Sequence, residues 1–133
     1  MAEYTLIEDD AGLSDAAAHL AAGHGPAAVD VERASGFRYS QRAYLIQVAR
    51  GGAGTYLIDP ILIADFAPLR EAIGGVEWVF HAASQDLPSL RELDLLPPSL
   101  FDTELAARLL GYEKVGLGAV VEEVTGVALA KAH

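Results

Sequence analysis

Three strand-like stretches follow one another closely in this chain, at Ala27 to Glu32, Ala43 to Arg50 and Thr55 to Ile58. The link Arg50-Gly51-Gly52-Ala53-Gly54 is a hairpin signal, and short connections join antiparallel neighbours. A parallel crossover would need a dozen residues or more. The pattern therefore predicts an antiparallel meander of three strands. Before it stand a short strand candidate, Tyr4-Thr5-Leu6-Ile7, and an alanine-rich helix from about Leu13 to Ala22. Asp9, Asp10 or Ser14 can start that helix, and Gly23 and Gly25 stop it.

After Pro60 the texture changes to alternating helix and strand. A helix is predicted from Asp65 to Ile73, with Phe66, Leu69, Ala72 and Ile73 on its apolar stripe and Arg70 and Glu71 on its solvated side. Pro68 fits only its first turn, so Asp65 is its expected cap. Trp78-Val79-Phe80 reads as a buried strand, followed by a helix capped by Ser84 and reaching Leu93. Pro97-Pro98 breaks the chain, and Asp102 or Thr103 caps a helix to Leu110. A last helix is expected from Leu117 to Val124, stopping at Gly126, with Glu122-Glu123 on a solvated face. Three antiparallel strands followed by helix–strand alternation predict an α/β domain, a mixed sheet flanked by helices. Later strands should lie parallel to the first strand of the meander.

The 133 residues suffice for one domain with a real core, since 52% are apolar and 21% charged. With no cysteine, disulfides, thiolate metal sites and cysteine nucleophiles are excluded. No apolar run approaches the ~20 residues that span a bilayer. Met1-Ala2-Glu3-Tyr4 lacks the basic-then-apolar order of a signal peptide, so a cytoplasmic protein is expected. The balance of 9 basic against 19 acidic residues gives −10, a surface that repels phosphate backbones unless metal ions supply positive charge. The same balance favours divalent cations, which take carboxylate oxygens.

Candidate chemistry centres on Ala28-Val29-Asp30-Val31-Glu32. In a strand, Val29 and Val31 face one way while Asp30 and Glu32 face the other. Two such carboxylates either share a wet face or bind a divalent ion. A second feature, Val79-Phe80-His81-Ala82-Ala83-Ser84-Gln85-Asp86-Leu87, takes a strand into a helix and sets Asp86 near the C-terminal edge of the sheet. Open α/β sheets place their ligands at that edge, although Ser84 and Asp86 could equally serve as caps. Asp102 in Leu100-Phe101-Asp102-Thr103 is likewise either a cap or a supporting acid.

Other constellations fail. His19, His24, His81 and His133 lack metal-ligand spacing, and His81 reads as a hydrogen-bonded structural residue. Gly51-Gly52-Ala53-Gly54 opens a strand and not a helix, so it is a turn and not a phosphate loop. No Gly-x-Ser-x-Gly elbow occurs. Phe37, Tyr39 and Arg42 could stack on bases or pair with phosphate, but a plain loop role explains them as well.

Taken in order, these segments resemble the ribonuclease D family of 3′–5′ exonucleases, in the DEDD group of the ribonuclease H-like superfamily. Ala28-Val29-Asp30-Val31-Glu32 is similar to its first motif, Asp-x-Glu, and His81-Ala82-Ala83-Ser84-Gln85-Asp86-Leu87 to its second. Tyr44-Leu45-Ile46-Gln47-Val48 and Tyr56-Leu57-Ile58-Asp59-Pro60 resemble the strands between them. The segments Phe101 to Leu110 and Val120 to Val127 resemble the helices that follow.

The resemblance implies a ribonuclease H-like sheet and hydrolysis of phosphodiesters at nucleic-acid 3′ ends, RNA before DNA, with two Mg²⁺ or Mn²⁺ ions. It implies that Asp30 bridges both ions, that Glu32 holds the ion activating water, and that Asp86 acts largely through bound water. The family's third motif, a Tyr and a fourth Asp on a later helix, has no match before Lys131-Ala132-His133. The expectation is therefore a single exonuclease domain over residues 1–133, incomplete at its C-terminus. Such a chain should bind metal weakly, show little activity and self-associate through uncovered apolar surface. The alternative is a catalytically dead ribonuclease H-like interaction module.

Overall fold

The computed structural model describes residues 4–33 and 44–111. The meander forms as expected: β2 (His24–Arg33), β3 (Tyr44–Gly51) and β4 (Gly54–Ile58) pair antiparallel. Gly52 and Gly54 hold φ of +77° and +92° in the tight β3–β4 turn, a backbone region that side chains disfavour. β1 (Thr5–Ile7) adds parallel to β4. On the other side β5 (Trp78–Phe80) runs parallel to β2, and β6 (Leu100–Asp102) parallel to β5. The six-stranded order is β1-β4-β3-β2-β5-β6.

Strand β6 is not among the strands expected from the sequence: Leu100-Phe101-Asp102 directly follows the Pro97-Pro98 break, and its Leu and Phe are exposed, so no buried stripe marks it. Pairing with β5 makes it a strand, Phe80 lying opposite Asp102.

Four helices accompany the sheet: α1 (Asp10–Ala21), α2 (Ala67–Ile73), α3 (Ala83–Glu92) and α4 (Thr103–Leu109). Asp9 is the cap of α1, its Oδ1 accepting from the Gly12 amide at 2.7 Å. Asp65 does not begin α2. Its Oδ1 accepts from the Ala67 amide at 2.9 Å, and the helix starts two residues later, with Pro68 in the first turn as expected.

Arg70 does not lie on a simply solvated face. Its guanidinium donates to the Asp94 and Leu93 carbonyls at 2.7 and 3.0 Å, tying α2 to the end of α3. Those carbonyls belong to a helix C-terminus, where unpaired acceptors and the helix dipole favour a cation.

The core lies on one face of the sheet. Ile7, Val29, Ile46, Val48, Ile58, Trp78 and Phe80 are buried there with Leu13 and Leu20 of α1, Leu69 and Ile73 of α2, and Leu90 of α3. Ala28, Asp30 and Glu32 alternate with the buried positions of β2 and are exposed. No helix among the described residues is long and apolar enough to cross a membrane. The helix expected at Leu117 to Val124, and Phe37, Tyr39, Arg42 and His133, lie outside the described residues.

Candidate active site

The strand pattern sets Asp30 and Glu32 on the exposed face of β2, as alternation demands. Across the ladder Asp30 stands opposite Gln47 and Glu32 opposite Leu45. Neither neighbour brings a cation to the pair.

Asp86 reaches the same place from another element. Strand β5 pairs with β2 at Ala27 and Ala28, so Val31 lies beyond the paired stretch. The Val31 amide donates instead to Asp86 Oδ2, at 3.3 Å. That carboxylate is only 7% exposed, and it sits level with the residue separating Asp30 from Glu32. Asp30 and Glu32 thus stand toward the carboxyl end of β2, and Asp86 lies in the first turn of the helix that follows the neighbouring parallel strand β5. Open α/β sheets build their sites at this position.

The turn that delivers Asp86 departs from the sequence expectation. Ser84 does not cap α3: it lies inside the helix and is exposed. The cap position is Ala82, at φ +66° and ψ +58°, with no side-chain acceptor to offer. The acceptor comes from Asp102, whose Oδ1 takes the Ala82 amide at 3.0 Å and whose Oδ2 takes the Ala83 amide at 2.7 Å. The same Oδ1 accepts from Glu104 and Leu105, at 2.9 and 3.2 Å, and so caps α4 as well. Burial works to raise the Asp102 carboxyl. The four amides, from Ala83, Ala82, Leu105 and Glu104, outweigh it and hold the group below the ordinary carboxylate range.

His81 is hydrogen-bonded through Nδ1, while its buried Nε2 has no hydrogen-bond partner among the described residues. Thr103 Oγ1 donates its proton to the Phe80 carbonyl at 3.1 Å, so the contact from His81 Nδ1 at 2.8 Å must be a donation by the imidazole. From the sequence Asp102 is either a cap or a supporting acid, and the structure shows it capping α4 and the start of α3. Its hold on α3 left no trace in the sequence, because the two segments lie about twenty residues apart and meet only through β5–β6 pairing.

Three carboxylates supply hard oxygen donors, the type that Mg²⁺ and Mn²⁺ take. The chemistry of these donors suits such an ion. Among the described residues, however, no three His, Asp or Glu side chains converge as a closed ligand set. Asp86 is turned to the Val31 amide. A shallow cleft of about 420 Å³ lies at the other end of β2, lined by residues including Pro26, Ala28, Ala49 and Thr55. Its Arg50 is already bonded to the Gly25 and Leu20 carbonyls, both at 2.8 Å. The cleft contains none of the three acids.

A mixed sheet carrying Asp-x-Glu on its central strand, with a third acid at the start of the helix after the neighbouring parallel strand, defines the ribonuclease H-like nuclease class. A sequence model of the 3′–5′ exonuclease family matches residues 4–133, and this chain belongs to that family. It is an exonuclease domain of the ribonuclease D type, a family that normally uses divalent metals.

Ribonuclease D of Pseudomonas paraeruginosa is 42% identical over 93 residues, which cover 67% of this chain and 24% of that protein. A crystal structure of a Bifidobacterium adolescentis protein superposes with a TM-score of 0.90 at 44% identity, over 97% of this chain and 32% of that one. The crystal structure of Escherichia coli ribonuclease D, described as an exoribonuclease involved in structured RNA processing, gives 0.79 at 31% identity. That match covers 98% of this chain and 35% of the other, so the chain spans about a third or less of these relatives.

Proposed function

We propose that residues 1–133 form one exonuclease domain that acts in the removal of nucleotides from the 3′ end of RNA, using Asp30, Glu32 and Asp86 as its carboxylates. One observation supports this reading: Asp86 accepts from the amide of Val31, the residue between Asp30 and Glu32. Two ions held by such a set, Mg²⁺ or Mn²⁺, supply positive charge to the attacking and leaving oxygens of a phosphodiester and acidify a bound water.

The chain's own part is to hold and orient. Asp30 and Glu32 present oxygens on a strand braced on both sides by β3 and β5. Asp86, largely buried and held on the Val31 amide, would act on the ions through bound water. The net charge of −10 would otherwise repel an RNA end, so substrate approach depends on the ions.

The test is calorimetric titration of Mn²⁺ into the 133-residue chain and into Asp30→Asn. Saturable binding is expected in the first and absent in the second. Equal heats in both proteins would overturn the metal reading and leave the interaction module. With 5′-labelled RNA and Mn²⁺, little 3′ trimming by the 133-residue chain is the expected outcome. Rapid trimming abolished by Asp30→Asn would overturn that expectation of low activity. Exposed Leu105, Leu109 and Leu110 on and after α4 support weak self-association, which light scattering would read as a mass above 14.0 kDa.

A further inference from the structure

Helix α3 begins in an unusual way for a helix that carries a candidate catalytic acid. Its cap residue, Ala82, is left-handed and offers only a methyl group, yet the Ala82 and Ala83 amides need acceptors. Both amides end on one carboxylate from the far side of the β5–β6 pair. We propose that Asp102 is a positioning residue for Asp86, fixing the first turn of α3 so that the Asp86 carboxylate stays on the Val31 amide. This role deepens the reading of Asp86 as one of the three site acids and rests on that reading for its link to function.

The geometry leaves little slack. Asp102 lies opposite Phe80 in the β5–β6 ladder, so its carboxylate is carried by the sheet and not by a loop. Thr103 adds its hydroxyl to the Phe80 carbonyl and accepts from His81, so Phe80, His81, Ala82 and Ala83 are each bonded to Asp102 or Thr103. One helical turn further on stands Asp86, whose bond to Val31 is 3.3 Å long. Hydrogen bonds of this kind cluster near 2.9–3.0 Å, so a shift of about half an ångström in the start of α3 would break it. Further along, the Ser89 carbonyl of α3 accepts from the Tyr44 hydroxyl at 3.2 Å, but among the described residues the amides that open the helix find their acceptor on Asp102, since the side chain at the cap position has none.

The Val31 amide reports the position of Asp86 directly, without metal or RNA. Asp102→Ala and Asp102→Asn are compared with Asp9→Ala, which removes the cap of α1 and leaves β5 and α3 untouched. The Val31 resonance is expected to shift in both Asp102 variants, with its hydrogen exchange at least about tenfold faster relative to Val29. Mn²⁺ affinity is expected to fall about tenfold or more, the loss typical when a support behind a ligand is removed. Asp9→Ala should lower the melting temperature while leaving the Val31 resonance in place.

An unmoved Val31 amide in folded Asp102→Ala would overturn the proposal and leave Asp102 a stabilising cap. If that variant does not fold, Asp102→Asn, which keeps one acceptor oxygen, decides on the same criterion. A shifted Val31 amide in a protein that binds no Mn²⁺ even as wild type would uphold the positioning role and overturn the metal reading.

Discussion

From β1 to α2 the chain is held by a broad apolar layer, whereas from β5 to α4 it is gathered at one carboxylate. In the first region Leu13 and Leu20 of α1 pack with Ile46, Val48 and Ile58 of the meander, all essentially without solvent contact. Many such contacts share the load, and the loss of one leaves the rest in place. In the second region two helix starts meet on Asp102 through four amide donors. Burial of apolar surface is non-directional, while a charged acceptor sets positions to a fraction of an ångström. The proposed site would use both: the meander carries Asp30 and Glu32, and the polar junction holds the start of the helix that bears Asp86.

The comparison breaks most visibly in the apolar half. Leu20→Ala should cost about 3 kcal/mol, because a fully buried leucine leaves a cavity. Urea unfolding measures it, and a loss below about 1 kcal/mol would show that the layer is looser than its burial indicates.

Acid sharpens the other half. The Asp102 carboxyl is lowered in the folded chain, so its contribution is present above the unfolded value of about pH 4 and is lost as pH falls through the folded value. Stability followed between pH 5 and 2 should show that loss in wild type and a flatter acid limb in Asp102→Asn. Equal acid limbs would mean that the carboxylate charge does not hold the junction.

Asp9→Ala should cost about 1 kcal/mol, the usual loss for one helix cap, and less than Asp102→Ala, which uncaps two helices. Thermal unfolding ranks the two, and the reverse order would break the comparison. The smallest effect has the opposite sign. Ala82→Gly should stabilise by about 0.5–1 kcal/mol, since glycine adopts φ +66° without the strain of a Cβ.

Much of the apolar half was legible in the sequence because its signals are local. Alternation placed Asp30 and Glu32 on one face, glycines marked the β3–β4 turn, and Asp9 stood directly before the helix it caps. Trp78-Val79-Phe80 was readable as a buried strand for the same reason. The polar half hid its logic in distance. Ser84 looks like the cap of α3 because serine is a good cap, but the left-handed Ala82 sets the helix two residues earlier and takes its acceptor from β6. Arg70 looked solvated because nothing near it in sequence reveals the end of α3 that it caps. For the proposed site, the Asp-x-Glu pair and Asp86 are candidates that the sequence alone can name. That Asp86 meets the amide between the other two required the parallel pairing of β5 with β2.

Paramagnetic broadening by Mn²⁺, read at every backbone amide of the 133-residue chain, tests the central claim most directly. At well below one ion per chain, the amides of Asp30, Val31, Glu32 and Asp86 should vanish first, while those of α1 and α2 persist. Broadening that begins instead at Asp9, Asp10 and Asp65, with Asp30 and Asp86 unaffected, would contradict a metal site on β2 and α3.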